Sequence, residues 1–334
     1  MRTLDFRRPV RFGLAVLLAL AGVLVSPVAA GPVGAATEPG VTSVDRRPLG
    51  IAVTPDGSHA YVANSDWSTV SVIDTSTDKV IHKVRGLSDP AAVAVTPDGR
   101  RLYVTDSGAD SVVVIDTATN VILSRVYVGQ VPMGVAITPD GRRVYVTNAA
   151  SDSVSVIDTD TDKVAGDPIR VGSTPIDLAF TPDGRRAYVV NSGYGSPTPV
   201  SVIDTATNKV TPLHVPIGNF PYAVAVTPDG RRAYVTDQNG TVSVLDTKTG
   251  KLLGAPILVG WKPADVAVTA DGRRVYVATG QDETPVYVID TSTDKATTVP
   301  LPLHSPTARI TLTPDGHQAY VTLPCCGAVY RFAI

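Results

Sequence analysis

The chain has 334 residues, of which 43% are hydrophobic, 6% aromatic and 18% charged, with 28 Gly and 27 Pro. That composition excludes a disordered, collagen-like or coiled-coil chain and describes a globular protein rich in turn formers. A formal net charge of −2 excludes a broadly basic nucleic-acid binder.

Read from the N-terminus, Arg2, Arg7, Arg8 and Arg11 precede an apolar stretch from Gly13 to Val25, and the small residues Val28-Ala29-Ala30 follow. Basic region, apolar region and cleavage site in that order predict a signal peptide over residues 1–30, cleaved near Ala30 or Ala36, and so a secreted or otherwise extracytoplasmic protein. The apolar stretch is shorter than the ~20 residues a membrane helix needs, and no second one occurs, so the mature chain is expected to have no membrane span. The Arg7-Arg8 pair is also a loose match to a twin-arginine signal, which leaves the export route open. Loss of residues 1–30 takes away four Arg and one Asp and leaves 25 basic against 30 acidic residues, a balance of −5. Residues 31–40 (GPVGAATEPG) have the small, aperiodic composition of a linker.

From residue 41 to 334 the chain repeats. TPDG begins at Thr54, Thr96, Thr138, Thr181, Thr227 and Thr313, with TADG at Thr269, at spacings of 42, 42, 43, 46, 42 and 44. A Tyr-Val pair follows each, at Tyr61, Tyr103, Tyr145, Tyr188, Tyr234, Tyr276 and Tyr320. Six copies then carry an alternating run ending in an aspartate, at Asp74, Asp116, Asp158, Asp204, Asp246 and Asp290. Each unit reads as four strands. Strand A is the apolar run before TPDG, whose Pro suits a type I turn and whose Gly suits a positive φ, so that strand B follows in a tight hairpin. Strand C alternates apolar and polar residues, and strand D begins near Lys-Val. Four-stranded units at this period are propeller blades, because one small sheet cannot bury both faces until neighbours stack on it. The last copy ends at strand C (Ala328 to Ile334), while an orphan strand, Val41 to Arg46, precedes the first. We therefore expect an all-β, seven-bladed propeller in which the N-terminal strand completes the last blade, a 3+1 closure.

The copies Tyr145 to Asn148 (YVTN), Tyr103 to Asp106 and Tyr234 to Asp237 (YVTD) and Tyr61 to Asn64 (YVAN), with TPDG before and VSVIDT after, resemble the YVTN-repeat seven-bladed propellers. These are similar to the lactonase-like propellers and to repeats of exported and surface-layer proteins. The resemblance implies the fold across residues 41–334, and it implies binding proteins and hydrolases alike, since the repeat residues are structural.

Function is then sought where the copies differ. The A–B and C–D turns share one face of the disc; the B–C loops and D–A connectors share the other, around the mouth of the central channel. On the first face, Arg100-Arg101, Arg142-Arg143, Arg185-Arg186, Arg231-Arg232 and Arg273-Arg274 read either as an anion-binding ring or as repeated pairing with nearby Asp. On the second face, Trp67, Tyr194, Phe220, Tyr222 and Trp261, with Lys262, are the candidate ligand-binding residues, set against the alternative that the aromatics cap neighbouring blades. The longest B–C loop, Asn191 to Pro199, is a candidate lid. Four residues before each TPDG, the copies read Gly50, Ala92, Gly134, Asp177, Ala223, Asp265 and Arg309. Asp177, Asp265 and Arg309 near the channel mouth read as a polar ligand site, as holders of a divalent cation, or as an inter-blade ion pair between Asp265 and Arg309. They are the candidate catalytic residues, with His304 as the nearest base. Cys325-Cys326 reads as a vicinal disulfide, as two thiols, or with His304 as a soft-metal site. No catalytic triad, zinc or phosphate-loop motif is found, so no cofactor is predicted. The leading expectation is a monomeric, non-catalytic binding propeller for a small molecule, glycan or protein, with nucleic acid disfavoured for want of an electrostatic funnel. The alternative is a lactonase-like hydrolase or lyase acting at the channel.

Overall fold

The computed structural model describes residues 40–281 and 285–334; the expected signal peptide and residues 31–39 of the linker lie outside them. The repeats form seven antiparallel sheets, six of them following sequence order A-B-C-D, with strand D of the third in two short pieces, and the last taking its outer strand from the N-terminal end of the described chain. The first blade pairs Pro48–Val53, His59–Asn64, Thr69–Asp74 and Lys79–Arg85. Strand A of every blade packs beside strand A of the next, and the seventh packs beside the first, so the blades close a ring. Among the described residues the one helical element is a single 3₁₀ turn, Ser107–Ala109, and no helix is long and apolar enough to cross a membrane.

The 3+1 closure is present. Val41–Ser43 pairs antiparallel with Ala328–Ala333, the third strand of the last blade, in the register Val41↔Tyr330 to Ser43↔Ala328. The closing strand is three residues long, not the six expected. After one further bond, from Val44 N to Gly327 O (2.8 Å), the backbone turns away. Asp45 then accepts hydrogen bonds from Thr69 Oγ1 (2.6 Å) and Lys83 Nζ (2.7 Å).

TPDG makes the turn its residues suggest. The amide of Gly57 donates to Thr54 O (2.8 Å), that of Thr54 to His59 O (2.9 Å), and Gly57 takes φ +73°. Asp56 accepts from the Thr54 hydroxyl and from the Ser58 amide and hydroxyl, bonds that hold its carboxyl down at about 2.

The core is seven inter-blade seams, one hydrophobic cluster between each pair of neighbours. The repeat tyrosines are buried in these seams, and three of their hydroxyls reach the next blade's C–D turn. Tyr61 donates to Thr117 O (3.1 Å), Tyr103 to Asp162 Oδ1 (2.8 Å) and Tyr188 to Thr247 O (2.8 Å). The second arginine of four pairs does the same: Arg101 to Thr159 O and Asp162, Arg143 to Thr205 O, Arg186 to Thr247 O and Arg232 to Thr291 O. The first arginines, such as Arg100 and Arg142, are exposed, and their backbone amides cap the turn aspartates. Four of the ten arginines of the ring are therefore inter-blade clamps.

Candidate functional site at the channel mouth

Strand A enters each of the first six blades through a proline, and its pairing with strand B then breaks register for two or three residues. Backbone amides at that break need other partners. In blades two, three, five and seven the partner is a strand-B threonine: Thr105, Thr147, Thr236 and Thr322 accept from the amides of Ala92, Gly134, Ala223 and Arg309 at 2.8–3.0 Å. Two of these hydroxyls also donate across the seam, Thr105 to Met133 O (2.9 Å) and Thr322 to Leu49 O (3.1 Å).

Blades one, four and six have no such threonine; Ala63, Val190 and Ala278 stand there, the last two opposite Asp177 and Asp265. The two carboxylates make the cross-seam bond instead, each accepting from the next blade: Asp177 Oδ2 from Val224 N and Asp265 Oδ2 from Ile310 N, both at 2.9 Å. In blade one, where residue 50 is Gly, the next blade moves in. A Cβ on Gly50 would stand 2.7 Å from Ala91 O and from Ala92 Cα.

Arg309 joins these groups. Its Nη1 lies 3.2 Å from Asp265 Oδ1, with the two side chains 19% and 14% exposed, and its guanidinium stands 6.0 Å from the centre of the Tyr222 ring. Burial pushes the Asp177 carboxyl up to about 6; Arg309 opposes that rise and the Asp265 charge adds to it. Burial also raises the Asp265 carboxyl, against the pull of Arg309. Burial disfavours the charge on Arg309, but Asp265 and Asp177 outweigh that and hold it protonated. The inter-blade pair of Asp265 with Arg309 is thus formed, and the positive charge facing both carboxylates is a guanidinium.

The aromatic candidates fall into two kinds. Tyr222 is half-buried and packs into the seam of blades four and five. Tyr194, Trp67 and Trp261 are 79%, 56% and 54% exposed, and Phe220 sits at the edge of exposure. Tyr194, in the long B–C loop, meets Phe220, in the following connector, with ring centroids 5.3 Å apart and tilted by 36°. The Phe220 amide donates to buried Asp237 (2.8 Å), which fixes that connector. Trp261 and exposed Lys262 stand one connector further round, Lys262 with φ +55°. Trp67 belongs to blade one, away from the sector of blades four to six.

Exposed His304 lies on the connector between blades six and seven. The exposed pair Cys325 and Cys326 meets Ser305, the residue next to His304. Among the described residues no group of three His, Cys, Asp or Glu side chains converges as a metal ion requires. Two clefts open on the other face of the disc. One, of about 470 Å³, lies between blades seven and one beside Tyr320 and Arg331; the other, of about 330 Å³, lies between blades four and five beside Arg186 and Lys248. The recurrent Tyr-Val-Thr was the one sequence signal that could have disclosed the threonine latches; nothing marked Ser305.

A protein-family model described as lactonase, 7-bladed beta-propeller, matches residues 48–171, which are the first three blades. Among solved structures, the chain is similar to Kuenenia stuttgartiensis hydrazine synthase, with 24% sequence identity, a TM-score of 0.78, and coverage of 91% of this chain and 99% of that one. At that identity the likeness is one of fold. No curated protein sequence matches the chain.

Proposed function

We propose that this lactonase-like propeller is an exported, monomeric, non-catalytic binding protein that recognises a small molecule, glycan or protein at the channel-mouth face through the aromatic side chains of blades four to six. One observation carries this reading. Each carboxylate at the mouth is already committed to the next blade's backbone, and Arg309 to Asp265, whereas Tyr194, Phe220 and Trp261 on the same face cover no core. Rings exposed on a rigid scaffold offer flat contact area at small entropic cost. Titrating the protein with sugars, lactones and peptides, and following Trp fluorescence, tests it. Replacing Trp261 or Tyr194 by Ala should weaken the bound class by roughly 1–3 kcal/mol without lowering the melting temperature. If Arg142→Ala with Arg143→Ala weakens binding and the aromatic changes do not, the site is on the opposite face. Export is tested by N-terminal sequencing of the protein recovered outside the cytoplasm, with a start after Ala30 or Ala36 expected.

A second reading is a lactonase-like hydrolase or lyase at the channel. It is favoured by the Asp177 carboxyl, raised to about 6 opposite a guanidinium, a value suited to exchanging a proton near neutrality. Turnover of any lactone that Asp177→Asn abolishes while binding persists would establish it.

A further inference from the structure

We infer that Cys325 and Cys326 form a redox-convertible dithiol that reacts by thiol–disulfide exchange with small disulfides at the mouth face of blade seven. The chain has two Cys in all, and both are exposed in the B–C turn of the last blade. Their sulfurs are 2.7 Å apart. Joining consecutive cysteines closes an eight-membered ring that strains the peptide between them, and a bond so strained is readily reduced again. The turn can take up that strain. Cys326 N donates to Leu323 O (3.1 Å), Gly327 follows in the left-handed region at φ +61°, and buried Leu323 and Ala328 hold the two ends. Ser305, buried in the connector from blade six, brings its Oγ to 2.8 Å from Cys325 Sγ and 3.5 Å from Cys326 Sγ. A hydroxyl that donates to sulfur stabilises the thiolate, and the closer contact marks Cys325 as the attacking residue. No other blade carries a cysteine in this turn.

The reaction balances with an external disulfide as oxidant. Cys325 thiolate attacks one sulfur of glutathione disulfide; the external S–S bond breaks, a mixed disulfide forms, and the departing thiolate takes up the proton Cys325 has lost. Cys326, giving up its proton, attacks Cys325 Sγ and expels the second glutathione as thiol. Two protein thiols are oxidised and one small disulfide is reduced to two thiols.

The test treats the full chain with glutathione buffers of rising oxidised fraction, followed by thiol titration and intact mass. The expected product is a monomer with no titratable thiol, two hydrogens lighter and carrying no glutathione. Cys326→Ser should stop at a stable mixed disulfide on Cys325. Cys325→Ser should react more slowly, and Ser305→Ala should slow the Cys325 step by about tenfold, the loss of one charge-assisted hydrogen bond. Two attached glutathiones, two thiols that persist in the most oxidising buffer, or a cross-linked dimer would each overturn the inference. Equal rates for Cys325→Ser and Cys326→Ser would overturn the assignment of Cys325 as attacker.

Discussion

Asp177 and Asp265 occupy equivalent places and face the same guanidinium, yet only Asp265 is in ion-pair contact with it. Removing one partner of a half-buried pair leaves the other charge stranded. Asp265→Ala should therefore cost about 3 kcal/mol in urea unfolding, and most of that should return in the double variant Asp265→Ala with Arg309→Met. Asp177 has the opposite pH signature to a salt-bridged carboxylate. Its folded pKa, about 6, lies above the ordinary 3.8, because burial and the neighbouring Asp265 outweigh Arg309. Between those values the folded chain keeps a proton that the unfolded chain has released. This group's stabilising contribution is complete below about pH 4 and is lost as pH rises through 6. Asp177→Asn, whose amide does not ionise, should gain on the parent as pH rises from 4 to 7, by at most about 3 kcal/mol. A difference between variant and parent that stays constant across that range contradicts the assignment.

The element that carries the site is the start of strand A, where a proline and a register break leave backbone groups to be paired by side chains. Two side chains do this, a strand-B threonine in blades two, three, five and seven and a strand-A aspartate in blades four and six, while Gly50 of blade one, like Gly134 of blade three, lets the next blade approach closely. Both aspartates stand in blades that lack the threonine, opposite Val190 and Ala278. This explains two of the mouth's three charged residues without a ligand, and it shifts the weight of recognition to the loops above. Gly50→Ala tests the close approach in blade one. The added methyl meets backbone at 2.7 Å, which a side-chain rotation cannot relieve, so a loss of about 1–3 kcal/mol is expected by thermal or urea unfolding. A variant as stable as the parent would show that the first two blades can slide apart freely.

At the scale of the whole ring, stability is shared among seven similar seams, and one of them is closed by non-consecutive chain. Val41–Ser43 supplies the outer strand of the last blade. Arg331, on that blade's third strand, takes over the clamp that strand-B arginines make elsewhere, with Nη1 3.0 Å from Thr75 O and Nη2 2.5 Å from Asp78 Oδ2. Strand B of this blade opens with Gln318 instead, and the larger cleft lies at this seam. Deletion of Val41–Ser43 exposes the edge of Ala328–Ala333 and should lower the melting temperature and promote association through that edge. A truncated protein that melts and sediments like the parent would mean the three pairs contribute nothing to closure.

The sequence by itself determined the number of blades, the order of strands, the hairpin at TPDG and the faces to which loops belong. Those features are local: turn residues and period-two alternation act within a few residues, and consecutive antiparallel strands pair with their sequence neighbours. The closing strand was legible for the same reason, as an unpaired strand at one end and a missing one at the other, although its length was set by where Asp45 leaves the edge for Thr69 and Lys83. What only the tertiary structure decided is the use of the non-repeating residues. The partners of Asp177 and Asp265 lie 47 and 45 residues along the chain, and Ser305, which meets Cys325, lies 20 residues back on the connector from blade six. No local pattern encodes such pairs. They depend on the height at which one blade's edge packs against the next, which the whole closed ring sets.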